Sequence, residues 1–245
     1  MKLLTEFKTT EIVLIFSDLY QIFLNGNHQK ILKEAESLIK SLIKNNKTVV
    51  LPTFNLFFPK TKITSFSTDH ITTGYLNRYL VKKFKFKRTL RPMYNYAVIG
   101  PQSKSILSMK QTTAWGKDSV VGYLIKNKCL GVGLNIDPKK FNWLAIHYCE
   151  EKAKVPYRYY KKFNGYNNSI KKKVFEKMFV RDLDVLKIED GRVLNTKLIK
   201  KKKIKTKKIM SFKVSFINLM DYSDEAEKLL SKNIYSLVKN EKRIT

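Results

Sequence analysis

Apolar residues recur along this chain with two different periods, and the switching between them sets the first expectations. Residues 12–16, Ile-Val-Leu-Ile-Phe, form a short β-branched run that predicts a buried strand ending at Ser17-Asp18. Ile31, Leu32, Ala35, Leu38, Ile39, Leu42 and Ile43 then repeat at helical spacing and predict an amphipathic helix, stopped by Asn45-Asn46. A second β-branched run over 48–51 closes at Pro52-Thr53. Strand, helix and strand joined by short connections are the unit of a parallel sheet.

Residues 55–72 read as a polar loop of a length that usually carries function, and 73–83 as a helix. Residues 88–95 show no period, 96–99 predict a strand and 103–109 a helix. Asp118 is the expected N-cap of a helix over 119–126, and 128–134, with Gly131 and Gly133, reads as another buried strand. Beyond a helix over 142–151 the order changes. Strands are expected over 174–182 and 209–217, and helices over 194–203 and 226–238. No repeat or low-complexity linker divides the chain, so one domain over residues 1–245 is expected.

Composition narrows the class. Hydrophobic residues make up 43% and aromatics 12%, which is globular rather than disordered. No run of eighteen apolar residues predicts a membrane span. The start of the chain has acidic residues before its apolar run and no small-residue cleavage site, so no signal peptide is expected. Cys129 and Cys149 make no disulfide framework, and a reducing cytoplasm fits. The formal charge of +29 favours anionic partners, but the excess of Lys over Arg also fits a compositional bias.

The candidate chemistry centres on residues 142–151, Asn-Trp-Leu-Ala-Ile-His-Tyr-Cys-Glu-Glu. On a helix, His147 and Glu150 stand at i and i+3 and share a face. An imidazole steered by a carboxylate is a common general base; the alternative is a capping or solvated surface pair. Walker and dinucleotide glycine loops, zinc-spaced Cys/His clusters and a nucleophile elbow are all missing, and no metal is implied. The lysine run over 200–208 lacks interleaved aromatics, so it reads as a solvated turn rather than a nucleic-acid site.

Several stretches together resemble the aminoglycoside 3-N-acetyltransferase family and its relatives that acylate sugar-linked amines. They are Ser17-Asp18-Leu19, Leu51-Pro52-Thr53-Phe54-Asn55, Thr73-Gly74-Tyr75-Leu76, Arg88-Thr89-Leu90-Arg91-Pro92 before the strand over 96–99, Gly116-Lys117-Asp118-Ser119, Leu130-Gly131-Val132-Gly133, and His147-Tyr148-Cys149-Glu150 trailed by Val155-Pro156-Tyr157-Arg158. Two positions depart from the family pattern: Arg91 stands where a His usually precedes the proline, and Leu144 where a Thr often precedes the catalytic His.

The resemblance implies an α/β fold, a three-layer α/β/α sandwich with a mixed, partly parallel sheet. It implies acyl transfer from acyl-coenzyme A to an amine, with His147 as base and Glu150 orienting it. Ser17, Thr53, Lys117 and Ser119 are the implied acyl-CoA contacts, and Arg91 and Asn55 lie near the acceptor. Cys149, directed away from His147 on the helix, is expected to be structural. Because aminoglycosides are polycations and this chain is strongly basic, the acceptor expected is a nucleotide-linked amino sugar of surface polysaccharide assembly, its diphosphate met by Arg91. The alternatives are an aminoglycoside 3-N-acetyltransferase and, from another class, a basic nucleic-acid-binding protein. The expected partners are small molecules, with no nucleic acid. A homo-oligomer is left open, with Trp115, Trp143 and several tyrosines as interface candidates.

Overall fold

The computed structural model describes residues 5–20, 24, 27–185 and 187–240. Its strands are β1 (Ile12–Ser17), β2 (Thr48–Pro52), β3 (Ile63–Thr64), β4 (Lys87–Arg88), β5 (Tyr96–Ile99), β6 (Leu130–Leu134), β7 (Arg158–Asn167), β8 (Lys172–Arg181), β9 (Lys187–Glu189), β10 (Lys205–Ile209), β11 (Phe212–Asn218) and β12 (Val238–Asn240). The main helices are α1 (His28–Lys44), α2 (Tyr75–Phe84), α3 (Val120–Lys126), α4 (Ala145–Ala153), α5 (Arg192–Lys200) and α6 (Leu219–Lys232).

Seven strands form one sheet in the order β10-β11-β6-β1-β2-β5-β4. Its centre is parallel: β1 pairs with β2, Val13 opposite Val49, and with β6, Phe16 opposite Gly133. The flanks are antiparallel, β5 on β2 at one side and β11 on β6 at the other. Alternation along β1 sorts its side chains. Val13 and Ile15 join Ile31, Ala35, Leu38 and Leu42 of α1 and Leu76 and Leu80 of α2 on one face. Ile12 and Leu14 meet Val121 and Leu124 of α3, Ile146 and Cys149 of α4 and Tyr222 and Ala226 of α6 on the other. The sheet is mixed, partly parallel and covered by helices on both faces, the α/β architecture expected.

Beyond the short strands β3, β4, β9 and β12, which no apolar run predicts, three elements depart from the expected pattern. Strand β7 was not predicted: its sequence, Arg-Tyr-Tyr-Lys-Lys-Phe-Asn-Gly-Tyr-Asn, is mostly solvent-facing and hides its period. It forms a long hairpin with β8, Phe163 opposite Glu176, and β3 pairs beside it. The lysine run is not a single turn. It covers the end of α5, a connection and the edge strand β10, which folds back on β11. Helix α6 starts at Leu219 rather than Ala226, because the Asn218 side chain accepts a hydrogen bond from the Met220 amide and begins the helix there.

Gly100 leaves β5 with φ of +119°, and a Cβ at this position would lie 2.5 Å from the Lys47 carbonyl oxygen. Both the conformation and the close approach exclude a side chain. Gly100→Ala is expected to lower Tm by about 4–8 °C in thermal melts, from roughly 2 kcal/mol of strain.

Candidate active site

Helix α4 presents His147 and Glu150 one turn apart, and the predicted meeting occurs: His147 Nδ1 lies 3.2 Å from Glu150 Oε2. Glu150 is completely buried. A buried carboxylate needs partners, and it has three. Tyr157 donates its hydroxyl to Oε1 at 3.1 Å, His147 meets Oε2, and Arg158 Nε stands 3.0 Å from the same oxygen. Burial alone pushes the Glu150 pKa up, but the His147 hydrogen bond and the Arg158 charge outweigh it and hold the carboxyl below its ordinary value.

A second carboxylate reaches the same imidazole. Glu189, at the end of β9, places Oε2 3.1 Å from His147 Nδ1. Arg158 joins the set, with its Nη2 2.9 Å from Glu189 Oε2 and 3.2 Å from His147 Nδ1. The carboxylate oxygens of Glu150 and Glu189 against Nδ1 favour the tautomer with its proton there and the lone pair on Nε2, although the Arg158 donor also stands at Nδ1. His147, Glu150 and Glu189 bring potential ligand atoms within 4.8 Å of one another. The cation among them is the Arg158 guanidinium, one positive charge against two carboxylates.

The imidazole lies on Trp115, ring centroids 4.9 Å apart and planes 36° from parallel. Trp115 in turn takes the edge of Tyr94 at 4.4 Å. Burial first, then the Glu176 charge, pushes the Tyr94 phenol up to about 12. Trp115 and Trp143 are both buried, which corrects their expected place at an interface.

Sequence reasoning brought His147 and Glu150 together and assigned no role in the site to Arg158, Tyr157, Glu189 or Trp115. Tyr157 and Arg158 stood in a stretch already singled out by the resemblance. Glu189 had no signal, since a three-residue strand paired with β12 carries no legible period.

The other candidates are scattered around this centre. Ser17 is half-buried at the carboxyl end of β1, and Lys117 is exposed. Thr53 is fully buried, its hydroxyl donating to Asn95 Oδ1 at 2.6 Å. Ser119 is also fully buried, and it, not Asp118, caps α3 by accepting from the Gly122 amide at 3.1 Å. Asp118 accepts from the Thr112 amide at 2.8 Å instead. Asn55 donates to the Ile63 carbonyl at 3.0 Å and borders a surface cavity of about 450 Å³ with Asp69, His70 and Arg78. Cys149 is buried with Sγ 3.6 Å from the Ser223 carbonyl oxygen, and burial pushes its thiol up to about 12, far from a thiolate nucleophile.

Arg91 is not free to meet a diphosphate. Its Nη2 is paired with buried Glu176 and its Nη1 donates to the Gln111 carbonyl at 3.0 Å. Glu176 also accepts from the Met93 amide at 3.1 Å. The expected contact with a nucleotide is corrected on this ground: the guanidinium neutralises a core carboxylate.

A carboxylate-held histidine on a helix beside a partly parallel, helix-covered sheet fits an α/β enzyme that uses a general base. The family model described as aminoglycoside 3-N-acetyltransferase matches residues 30–231. The chain belongs to that family, and it is an acyl-CoA-dependent N-acetyltransferase. Its structure is similar to that of aminoglycoside acetyltransferase AAC(3)-IIb, at 11% identity, TM-score 0.71 and 91% coverage of each chain. It is also similar to AAC(3)-IVa in complex with apramycin, at 16% identity and TM-score 0.70, covering 94% of this chain and 89% of that one. The third is the AAC-IIIb binary complex with CoASH, at 11% identity and TM-score 0.66, covering 91% and 90%. The comparison with curated proteins finds no match.

These findings overturn the expected nucleotide-linked amino sugar and its place in polysaccharide assembly, since both the family and its solved relatives are aminoglycoside enzymes. Among the described residues, no helix is long and apolar enough to cross a membrane.

The depressed pKa of Glu150 has a thermodynamic consequence. Its contribution to stability is present above the unfolded carboxyl value of 4.5 and is lost as pH falls through the lower folded value. Glu150→Gln should therefore cost about 1–3 kcal/mol at neutral pH and flatten the fall in stability below about pH 4.5. Urea unfolding between pH 3 and 7 measures both; equal slopes for the two proteins would remove Glu150 from the acid transition.

Proposed function

We propose that this protein acetylates an amino group of an aminoglycoside, with acetyl-CoA as donor and His147 as general base. The observation that carries the reading is the imidazole whose Nδ1 is held by Glu150 and Glu189, at 3.2 and 3.1 Å, which leaves Nε2 to accept a proton. His147 keeps 21% of its side-chain surface exposed, so the ring is reachable from solvent.

The chemistry follows from that arrangement. An ammonium cannot attack a thioester; the acceptor nitrogen must first shed a proton, and Nε2 takes it. The amine lone pair then forms the C–N bond, the carbonyl π electrons move to oxygen, and the tetrahedral intermediate collapses with breakage of the C–S bond. The proton held by His147 passes to the departing thiolate, and the acylated nitrogen sheds its second proton to solvent, giving free CoA, the amide and one net proton. Base catalysis of this kind contributes about 10²–10⁴ in rate.

Glu150 and Glu189 fix the ring and stabilise its charged form, while Arg158 keeps the two carboxylates from repelling each other. Two carboxylates against one guanidinium leave this corner one negative charge in excess, which suits a cationic acceptor although the whole chain is basic. Relatives solved with apramycin and sisomicin support the acceptor class, and the CoASH complex supports the donor. Ser17 and exposed Lys117 are the proposed direct acyl-CoA contacts. Thr53 and Ser119 act from behind them by holding the turns, and Asn55 braces the loop beside the acceptor. Dependence on acetyl-CoA supports a cytoplasmic reaction.

Purified protein with acetyl-CoA should release thiol on addition of apramycin or sisomicin. His147→Ala should lower kcat by about 10²–10⁴ with CoA affinity, measured by calorimetry, kept within a few fold. Failure to acetylate any aminoglycoside tested would refute the acceptor class, and an active His147→Ala protein would refute the base.

A further inference from the structure

The segment 111–119, whose last four residues the family resemblance implied as an acyl-CoA turn, is built as a bracket. Thr113 donates its hydroxyl to Glu151 Oε1 at 2.6 Å, and the Gly116 amide donates back to Thr113 Oγ1 at 2.9 Å. Asp118 accepts from the Thr112 amide, the Ala114 amide donates to the Lys177 carbonyl at 3.1 Å, and the Ser119 amide donates to the Gly116 carbonyl at 2.9 Å. Nothing larger than glycine fits at 116, where a Cβ would lie 2.7 Å from Thr113 Oγ1 and 3.3 Å from Glu151 Oε1. The bracket is thus tied to α4 through Glu151 and to β8 through Lys177. Its product is the placement of one side chain, Trp115, buried to 2% exposure beneath the His147 ring.

We propose that Trp115 is a positioning residue for His147, holding the imidazole flat beside its carboxylates and stabilising the charged ring through the indole face. The inference rests on the reading of His147 as general base and adds a group to it. An indole face attracts a cation more strongly than any other aromatic side chain, and most strongly where water is excluded. The charged and titratable groups around the imidazole are Glu150 from its own helix, Glu189 from β9 and Arg158 from β7, with Tyr157 behind Glu150 and Tyr94 behind the indole. Glu150 and Glu189 act on the Nδ1 edge of the ring, whereas Trp115 acts on its face.

Two measurements on the full-length protein test this. The first needs no substrate: the pH dependence of indole fluorescence, taken as the difference between wild type and Trp115→Phe to remove the Trp143 signal. Lowering the pH from about 8 to about 5 should quench that difference signal in one step, and His147→Asn should abolish the step. Tyr94, at about 12, does not titrate in this range. The second is the pH–rate profile. Trp115→Leu should move the acidic limb of kcat/KM about half to one pH unit lower, since the charged ring loses its support, while Trp115→Phe, which keeps a ring, should restore most of the shift.

An indole signal that does not respond to His147→Asn, or an acidic limb unmoved in Trp115→Leu, would overturn the proposal, including where the only effect is lost stability. If no aminoglycoside is acetylated yet the fluorescence step is present and His147-dependent, the contact stands and the acceptor reading is what fails.

Discussion

The structure around the active site depends on a single guanidinium. Arg158 is the place where α4, β7 and β9 meet, through Glu150, itself and Glu189. Glu150 has no solvent exposure and would be costly to ionise alone; Glu189 and Glu150 would repel each other across the same imidazole. One planar cation with several donors resolves both problems, and a lysine ammonium could not bridge the carboxylates in the same plane. The ordering of the catalytic helix is therefore coupled to the long hairpin and to the short strand β9.

The same physics explains why net charge misled the choice of acceptor. A charge of +29 describes the field far from the protein, where steering acts. Recognition occurs within a few ångströms, where the sign is set by which side chains are brought together. Here two carboxylates face one guanidinium, while lysines such as Lys162 and Lys177 lie over aromatic rings on the outer face of the β7–β8 hairpin. Arg91 shows the error in miniature: a cation assigned to a phosphate from its sequence position is spent on Glu176 in the interior.

What could be read from sequence divides along physical lines. Strands β1, β2, β5 and β6 are buried on both faces, so their apolar runs are continuous, and α1 shows its face through seven spaced residues. Strand β7 carries its side chains mostly into solvent and β10 lies within a lysine run, so neither shows a period. Helix α6 follows β11 with Asn218 as the single polar residue between them, and the apolar Phe216, Ile217 and Leu219 around it blur the boundary. In the site, His147 and Glu150 were legible because one helical turn fixes their meeting. Glu189 and Trp115 come from segments whose approach only tertiary packing decides.

The positions of the outermost strands give the lysine excess a use unrelated to any ligand. The seven-stranded sheet ends at β10, Lys-Thr-Lys-Lys-Ile, on one side and at the two-residue β4, Lys87–Arg88, on the other. Among the described residues, each outer strand has a row of backbone groups with no strand beyond it, which is where a second sheet would zip on. Exposed ammonium groups flank both rows, Lys87 on β4 and Lys205 and Lys208 on β10, so two copies approaching edge to edge bring like charges together before any backbone bond forms. Arg88 is not one of them, since its guanidinium turns inward to Asn95 and the Thr53 carbonyl. Replacing the three exposed lysines by threonine or valine would remove the barrier that keeps one sheet from continuing into the next molecule.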